Sequence, residues 1–427
     1  MQALLMRQLL TVLVALSAGF FSTEVASQVS GRLAPPEAVV AMNDAGAFMR
    51  EIRYPDGLEN EAMSEQFFGG KMRVMADGGL LIPAAAFSTS TLLSNILVMR
   101  LAPDETLSWY WTTGITGNRM EIEACIPLYG ERIAIVLGET TGEQEGKVEL
   151  MIIEAGRILY REVLGYWDGP WIASDIFYTL YAAEDGFYLH KSPFELFGEA
   201  APESITYYDF DGKARYDMTL PDGLDTDDAV PLPDGVLLVG AGQIEDQWYG
   251  VGMCVRLDLD GETLWTVRTD EDMNVERFWS AAPRGDGGFY LVGSKTRVYS
   301  QVMLMEMDAD GNISTEKAQF DKPGNRIHMR ENIVWREDEV AVLMSDFGDG
   351  PSCAVTQLDG TVRGWYVEDA ASLYAEGTGD LGFYYLLDYD GRLYVSPFEY
   401  FGTVGPKRLY DIEAGEGWEE IGAKVEW

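Results

Sequence analysis

The stretch Leu257-Asp258-Leu259-Asp260-Gly261-Glu262-Thr263-Leu264-Trp265, LDLDGETLW in one-letter code, admits two readings. Two aspartates one residue apart ahead of a glycine suit a calcium loop. The same letters suit a tight turn between two strands. The first reading gives the chain a metal site, the second gives it a fold.

Comparing the chain with itself decides between them. Glycine turns followed by an apolar strand recur as ADGGLLIP, YGERIAIVLG, EDGFYLHKS, PDGVLLVG, GDGGFYLVGS, REDEVAVLMS and YDGRLYVS. Their turn positions are Gly78, Gly130, Gly186, Gly235, Gly287, Asp338 and Gly391. Spacings of about 52 residues mark a repeat architecture. Between these turns lies a second motif, an alternating strand running into a turn and a second strand leaving it. LDLDGETLW is one copy. An aromatic follows that turn in several copies, at Trp109, Tyr160, Tyr216, Trp265 and Trp365. Each unit therefore reads as four short strands, one blade of a propeller.

A calcium loop would keep its aspartates from unit to unit. The equivalent positions become Ile153-Glu154-Ala155-Gly156 and Leu358-Asp359-Gly360, and the glycine comes too early for an EF-hand. What survives is an Asp-Gly-like turn, because a two-residue hairpin needs positive φ where Gly and Asp strain least. LDLDG reads as a hairpin, and no metal or cofactor is expected.

The chain ends complete the ring. Val39 to Tyr54 has the strand-turn-strand layout but precedes the first full unit, and KRLYDIEAGEGWEEIGAKVEW at the end is a weaker version of the same pair. The expected fold is all-β: a seven-bladed propeller of four-stranded blades, with residues 37–55 supplying one or two outer strands to the last blade. An eight-bladed ring is the alternative.

Residues 1–27 read as an export signal. Arg7 supplies the basic region, Leu9 to Phe21 is an apolar run too short to span a bilayer, and Val25-Ala26-Ser27 offers small residues for cleavage. Residues 28–427 are then one propeller domain, secreted or held outside the cytoplasm. Net charge is −39, from 70 acidic against 31 basic residues. Such a chain repels phosphate backbones and anionic lipid, so neither nucleic acid nor an anionic membrane is an expected partner. A monomer with a protein or glycan partner is expected.

A buried strand ending in Asp-Gly, a YLVGS-like strand and then LDxDGxxLW together resemble the quinoprotein-type (PQQ-like) propeller repeat of exported bacterial proteins. Gly287 to Ser294 and Val255 to Trp265 carry the likeness best. The resemblance implies architecture. The quinone enzymes of that family use calcium-bound quinone, a carboxylate base and often adjacent cysteines. Here no two cysteines are adjacent and no aspartate matches the base.

Cys125, Cys254 and Cys353 fall in non-neighbouring units, beyond disulfide reach, and are expected as buried thiols. His190 reads as structural. The near copies SPFELFG (Ser192 to Gly198) and SPFEYFG (Ser396 to Gly402) read as inherited repeat sequence, with paired aromatic platforms as the sharper alternative.

Ligands of propellers sit at the channel mouth, on loops leading into the innermost strands. In this chain those loops hold Arg119, Trp171, Asp175, Asp227, Asp228, Arg277, Arg326, His328 and Arg330. The plainer reading is charge pairing among neighbours. No GxSxG, HExxH or P-loop occurs. The expected function is a non-catalytic binding or scaffold propeller, with a carbohydrate-active hydrolase or lyase, or a quinone-dependent oxidoreductase, as the alternative. An apolar plug in the channel would fit the first, and a deep channel bearing carboxylates the second.

Overall fold

The computed structural model describes residues 38–42, 48–52, 67–69, 71–87, 94–114, 116–140, 145–168, 176–193, 203–221, 223–242, 250–269, 275–295, 301–314, 318–321, 332–344, 352–367, 384–397, 407–414 and 418–424. The expected export signal lies outside them. Two N-terminal strands come first, β1 (Ala38–Met42) and β2 (Phe48–Ile52). Blade 1 follows, with its innermost strand in two pieces, β3 (Phe67–Gly69) and β4 (Arg73–Val74), then β5 (Leu80–Phe87), β6 (Ser94–Leu101) and β7 (Leu107–Thr112). Blade 2 is β8 (Met120–Pro127), β9 (Arg132–Thr140), β10 (Glu145–Glu154) and β11 (Arg157–Asp168). Blade 3 is β12 (Ile176–Ala182), β13 (Gly186–Pro193), β14 (Ser204–Asp209) and β15 (Ala214–Thr219).

Blade 4 is β16 (Leu224–Leu232), β17 (Gly235–Gly242), β18 (Val251–Asp258) and β19 (Thr263–Arg268). Blade 5 is β20 (Val275–Pro283), β21 (Phe289–Lys295), β22 (Gln301–Met307) and β23 (Ala318–Asp321). Blade 6 opens with β24 (Ile333–Trp335), β25 (Glu339–Met344), β26 (Ser352–Gln357) and β27 (Thr361–Val367). Blade 7 has β28 (Tyr384–Tyr389), β29 (Arg392–Pro397) and β30 (Lys407–Asp411), and β31 (Trp418–Lys424) ends the chain.

Each blade is an antiparallel meander, and there are seven, not eight. The last blade runs β1-β2-β30-β29-β28, so the N-terminal pair supplies both of its outer strands. Met49 pairs with Tyr410 and Ile52 with Lys407 across that seam. The final segment departs from the sequence reading. β30 stays in blade 7, but β31 pairs with β27 as a fifth strand of blade 6. Because β2 already occupies the outer edge of β30, the last strand takes the nearest free edge. Its Trp418 ring covers Gly364, where a Cβ would come within 2.1 Å.

The core lies between blades. Seven apolar clusters fill the seven blade-to-blade junctions, including the one that joins blade 7 to blade 1. Strand alternation makes this possible. In β6, Leu97, Met99 and Leu101 face blade 7, while Ile96 and Val98 face blade 2. Both faces of a middle strand are thus apolar, which is why these strands read as unbroken hydrophobic runs. Each fully buried aliphatic side chain contributes about 1.5–3 kcal/mol. A sheet packed on both faces cannot fold alone, so the ring is a single cooperative solution.

LDLDG is the expected hairpin, joining β18 to β19. Its loop is wider than the two-residue form: Asp258 faces Glu262, with Leu259, Asp260 and Gly261 between them. The Asp258 N–H donates to the Glu262 carbonyl, and the Gly261 N–H donates to the Asp258 carbonyl. Asp258 Oδ1 accepts from the N–H groups of Asp260 and Glu262, both at 2.9 Å. Asp209 and Asp308 do the same for their own turns. The first aspartate is therefore an internal brace. Two-residue turns do occur elsewhere, at Asp390-Gly391 (φ 53° and 71°) and Ala155-Gly156 (φ 47° and 78°).

The turn glycines also receive the preceding blade. A Cβ at Gly156 would lie 2.8 Å from the Tyr110 carbonyl, at Gly212 2.3 Å from the Tyr160 ring, at Gly261 2.6 Å from Met218 and at Gly311 2.5 Å from Val267. Arginines brace the inner Asp-Gly turns: Arg100 pairs with Asp77 and Arg256 with Asp234, both from buried positions on third strands. The three cysteines are free and buried. Burial pushes the Cys125 thiol up to about 12.

Candidate functional site in the central channel

The innermost strands β4, β12, β16, β20, β24 and β28 line a channel cavity of about 470 Å³. That size falls within the usual range for small-ligand pockets. Its wall includes Arg73, Asp228, Ser280, Trp335 and Asp388, interleaved with aliphatic residues. Among the described residues the wall is mixed, with apolar side chains such as Met72, Val230, Ile333 and Leu387 beside the polar groups.

Three blades are tied together at this wall. The Trp335 Nε1–H donates to Ser280 Oγ at 3.0 Å, and the Ser280 hydroxyl donates to Asp228 Oδ2 at 2.7 Å. The other Asp228 oxygen accepts from the Ala229 N–H at 2.9 Å. The relay runs from β24 through β20 to β16, so a strand-to-strand displacement would break it. On the far side, Asp388 takes two bonds from Arg336, at 2.8 and 2.9 Å.

Bulges aim the polar groups. The ladder between β16 and β17 slips at Asp227, that between β8 and β9 slips at Glu123, and that between β20 and β21 slips at Trp279. A bulge leaves one residue out of the alternation and re-aims it. Asp227 turns toward blade 5, where Arg277 binds it at 2.7 Å and also binds Asp225. The Arg277 guanidinium sits 5.3 Å over the Trp279 ring. Asp227 Oδ2 is buried without a hydrogen-bond partner. Burial, with Asp225 and Asp228 adding repulsion, pushes its carboxyl up to about 8 against the pull of Arg277. Half-buried Glu123 is pushed up to about 7 by desolvation, with the neighbouring Glu121 adding repulsion.

Of the nine rim residues read from the sequence, Asp227, Asp228 and Arg277 come together. They lie within β16 and β20 and not on loops as expected, because the innermost strands begin earlier than the glycine spacing implies. Arg119 stands apart in blade 2, paired with Glu121 at 3.0 Å. Trp171, Asp175, Arg326, His328 and Arg330 lie outside the described residues. Sequence reasoning missed Ser280, Trp335, Asp388 and Glu123. Only the repeat alignment could have found them, since Asp228 and Ser280 hold equivalent places opposite Val239 and Val292. His190 is structural: it is buried, with Nε2 at 3.1 Å from Glu203. The aromatic parts of SPFELFG and SPFEYFG lie outside the described residues.

The channel and its blades define a seven-bladed β-propeller. No family model matches the chain, and no curated protein matches it by sequence. Solved structures do match by fold. A puromycin hydrolase superposes with a TM-score of 0.51 at 11% identity, covering 86% of this chain and 55% of that one. The β-propeller domain of the trilobed protease from Pyrococcus furiosus gives 0.49 at 9%, covering 84% and 96%. Prolyl oligopeptidase B from Galerina marginata gives 0.47 at 9%, covering 83% and 53%. The chain spans about half the length of the puromycin hydrolase and the oligopeptidase.

The matched structures are mostly peptidase propellers. That finding corrects the expectation of a non-catalytic binding or scaffold propeller. At such identities the likeness speaks for the fold alone.

Proposed function

We propose that the protein is an exported, hydrolase-related propeller whose channel receives a short cationic peptide. The observation that carries this reading is the charge of the innermost strands. At the cavity wall they set the carboxyl groups of Asp228 and Asp388 against the guanidinium group of Arg73. An excess of carboxyl groups over guanidinium groups at a cleft wall favours a cationic ligand. Asp228 supplies the carboxylate at the cavity wall, and Trp335 supplies an aromatic face beside it. The reaction class comes from the puromycin hydrolase likeness, the substrate class from the chemistry of the channel.

Export and the quinoprotein-type repeat belong to the same proposal, supported by the N-terminal apolar run and the recurring LDxDGxxLW layout. So does the absence of nucleic-acid or anionic-membrane partners, supported by the net charge of −39.

Calorimetric titration tests the reading. A lysine-containing tripeptide is expected to bind the parent protein and quench its tryptophan fluorescence. An acidic tripeptide of equal length should not bind, and Asp228→Asn should weaken the lysine peptide about tenfold or more, the loss of one charge-assisted contact. Equal binding of both peptides, or none of either, contradicts it.

A further inference from the structure

Strand β11 is unlike the other outer strands. It is 12 residues long, whereas β7, β15 and β19 have 6 each and β23 has 4. It is paired on one side only, to β10. Among the described residues the exposed large apolar side chains concentrate on it: Ile158, Leu159, Val163 and Tyr166, the last 80% exposed. A long, unpaired edge bearing apolar groups is a template for another strand.

We propose that β11 pairs antiparallel with β11 of a second copy of this chain, joining two blades into one continuous sheet. An edge that pairs antiparallel with itself satisfies a two-fold axis, the commonest symmetry of homo-oligomers. The order of charges fits that axis. Arg157 and Arg161 lie toward the start of the strand, and Glu162 follows Arg161. With the axis between positions 161 and 162, Arg161 of each copy faces Glu162 of the other, and Arg157 faces Tyr166. In the same register Tyr160 faces Val163 and Ile158 faces Gly165. Opposite charges and aromatic to β-branched pairs are the cross-strand neighbours that stabilise sheets. Adding a strand to a blade is also a device this fold already uses, since β31 extends blade 6 and β1 extends blade 7.

The net charge of −39 gives the pairing a salt signature. Two such chains repel at long range, and salt shortens that range to about 8 Å at physiological strength. Backbone bonds and apolar contact at the edge are not screened. Association therefore strengthens with salt, opposite to an interface held mainly by ion pairs.

Sedimentation velocity of the full chain over a dilution series, at low and raised salt, tests the proposal. The expected result is a monomer–dimer equilibrium that shifts toward dimer with salt, with slower amide exchange in β11 at high concentration. Tyr166→Lys and Val163→Lys should each weaken the dimer about tenfold or more without lowering the melting temperature of the monomer. Leu264→Lys, on the edge strand β19, should leave it unchanged. A single monomeric species at all concentrations, or a dimer indifferent to both β11 substitutions, overturns the proposal.

Discussion

The ring of Tyr160, on the outer strand of blade 2, lies directly on the hairpin glycine Gly212 of blade 3: a Cβ there would sit 2.3 Å from the ring. Gly212 also has φ of 83°. Gly212→Ala therefore meets two costs, left-handed backbone and overpacking, together about 2–4 kcal/mol. At Gly130, with φ of 69° and nothing within 4 Å of a Cβ, the same change should cost only the backbone part, about 1–2 kcal/mol. Chemical denaturation of the two variants checks the difference, and Tyr160→Ala should relieve part of the Gly212→Ala penalty.

Glu123 makes stability depend on pH. Burial and Glu121 raise its carboxyl from 4.5 to about 7. The native state thus holds a proton that the unfolded chain releases earlier, so stability is full below 4.5 and falls as pH rises through about 7. Glu123→Gln keeps the neutral form at every pH. It should be more stable than the parent at pH 8 by about 3 kcal/mol and nearly equal at pH 4. Urea unfolding at the two pH values measures both differences.

The relay from Trp335 through Ser280 to Asp228 predicts an asymmetric loss. Ser280→Ala leaves a half-buried indole N–H and a buried carboxylate oxygen each short of a partner, at about 1–3 kcal/mol. Removing Asp228 as well, in Ser280→Ala/Asp228→Ala, should cost less than the sum of the single changes. A double-mutant cycle by denaturant titration gives the coupling directly.

Ring closure rests on β2, which is bonded on both sides. Arg50 pairs with Val40 in β1 and with Leu409 in β30. A proline at 50 must break one ladder or the other, at about 3 kcal/mol or more. Arg50→Pro should lower the melting temperature and promote association through the freed blade 7 edge. Light scattering during a thermal scan follows both effects.

The repeat made the fold legible because each unit carries the same physical demands. A turn needs a glycine where φ is positive and the preceding blade presses, as at Gly212 and Gly261, and the aromatic four residues on covers the turn of the following blade, as Tyr160 does. Closure was legible for the same reason, since Val39 to Tyr54 repeats the outer pair. The destination of β31 was not, because it depends on which edge β2 had already taken. The channel site was legible only in part. Asp227, Asp228 and Arg277 stood out by charge, but Ser280 and Trp335 look like ordinary strand residues. Their role comes from bulges and from contacts between blades, which single-strand periodicity does not encode. The hairpin aspartate Asp258 was read correctly as a turn residue, yet its grip on two backbone N–H groups was visible only in three dimensions.

The most direct test of the channel reading is a crystal structure of the protein soaked with the lysine-containing tripeptide. The account predicts ordered density in the channel between blades 4 and 7, with the peptide ammonium within hydrogen-bond distance of Asp228 and its chain against Trp335. An empty channel with the peptide bound elsewhere, or with none bound at saturating concentration, would contradict it.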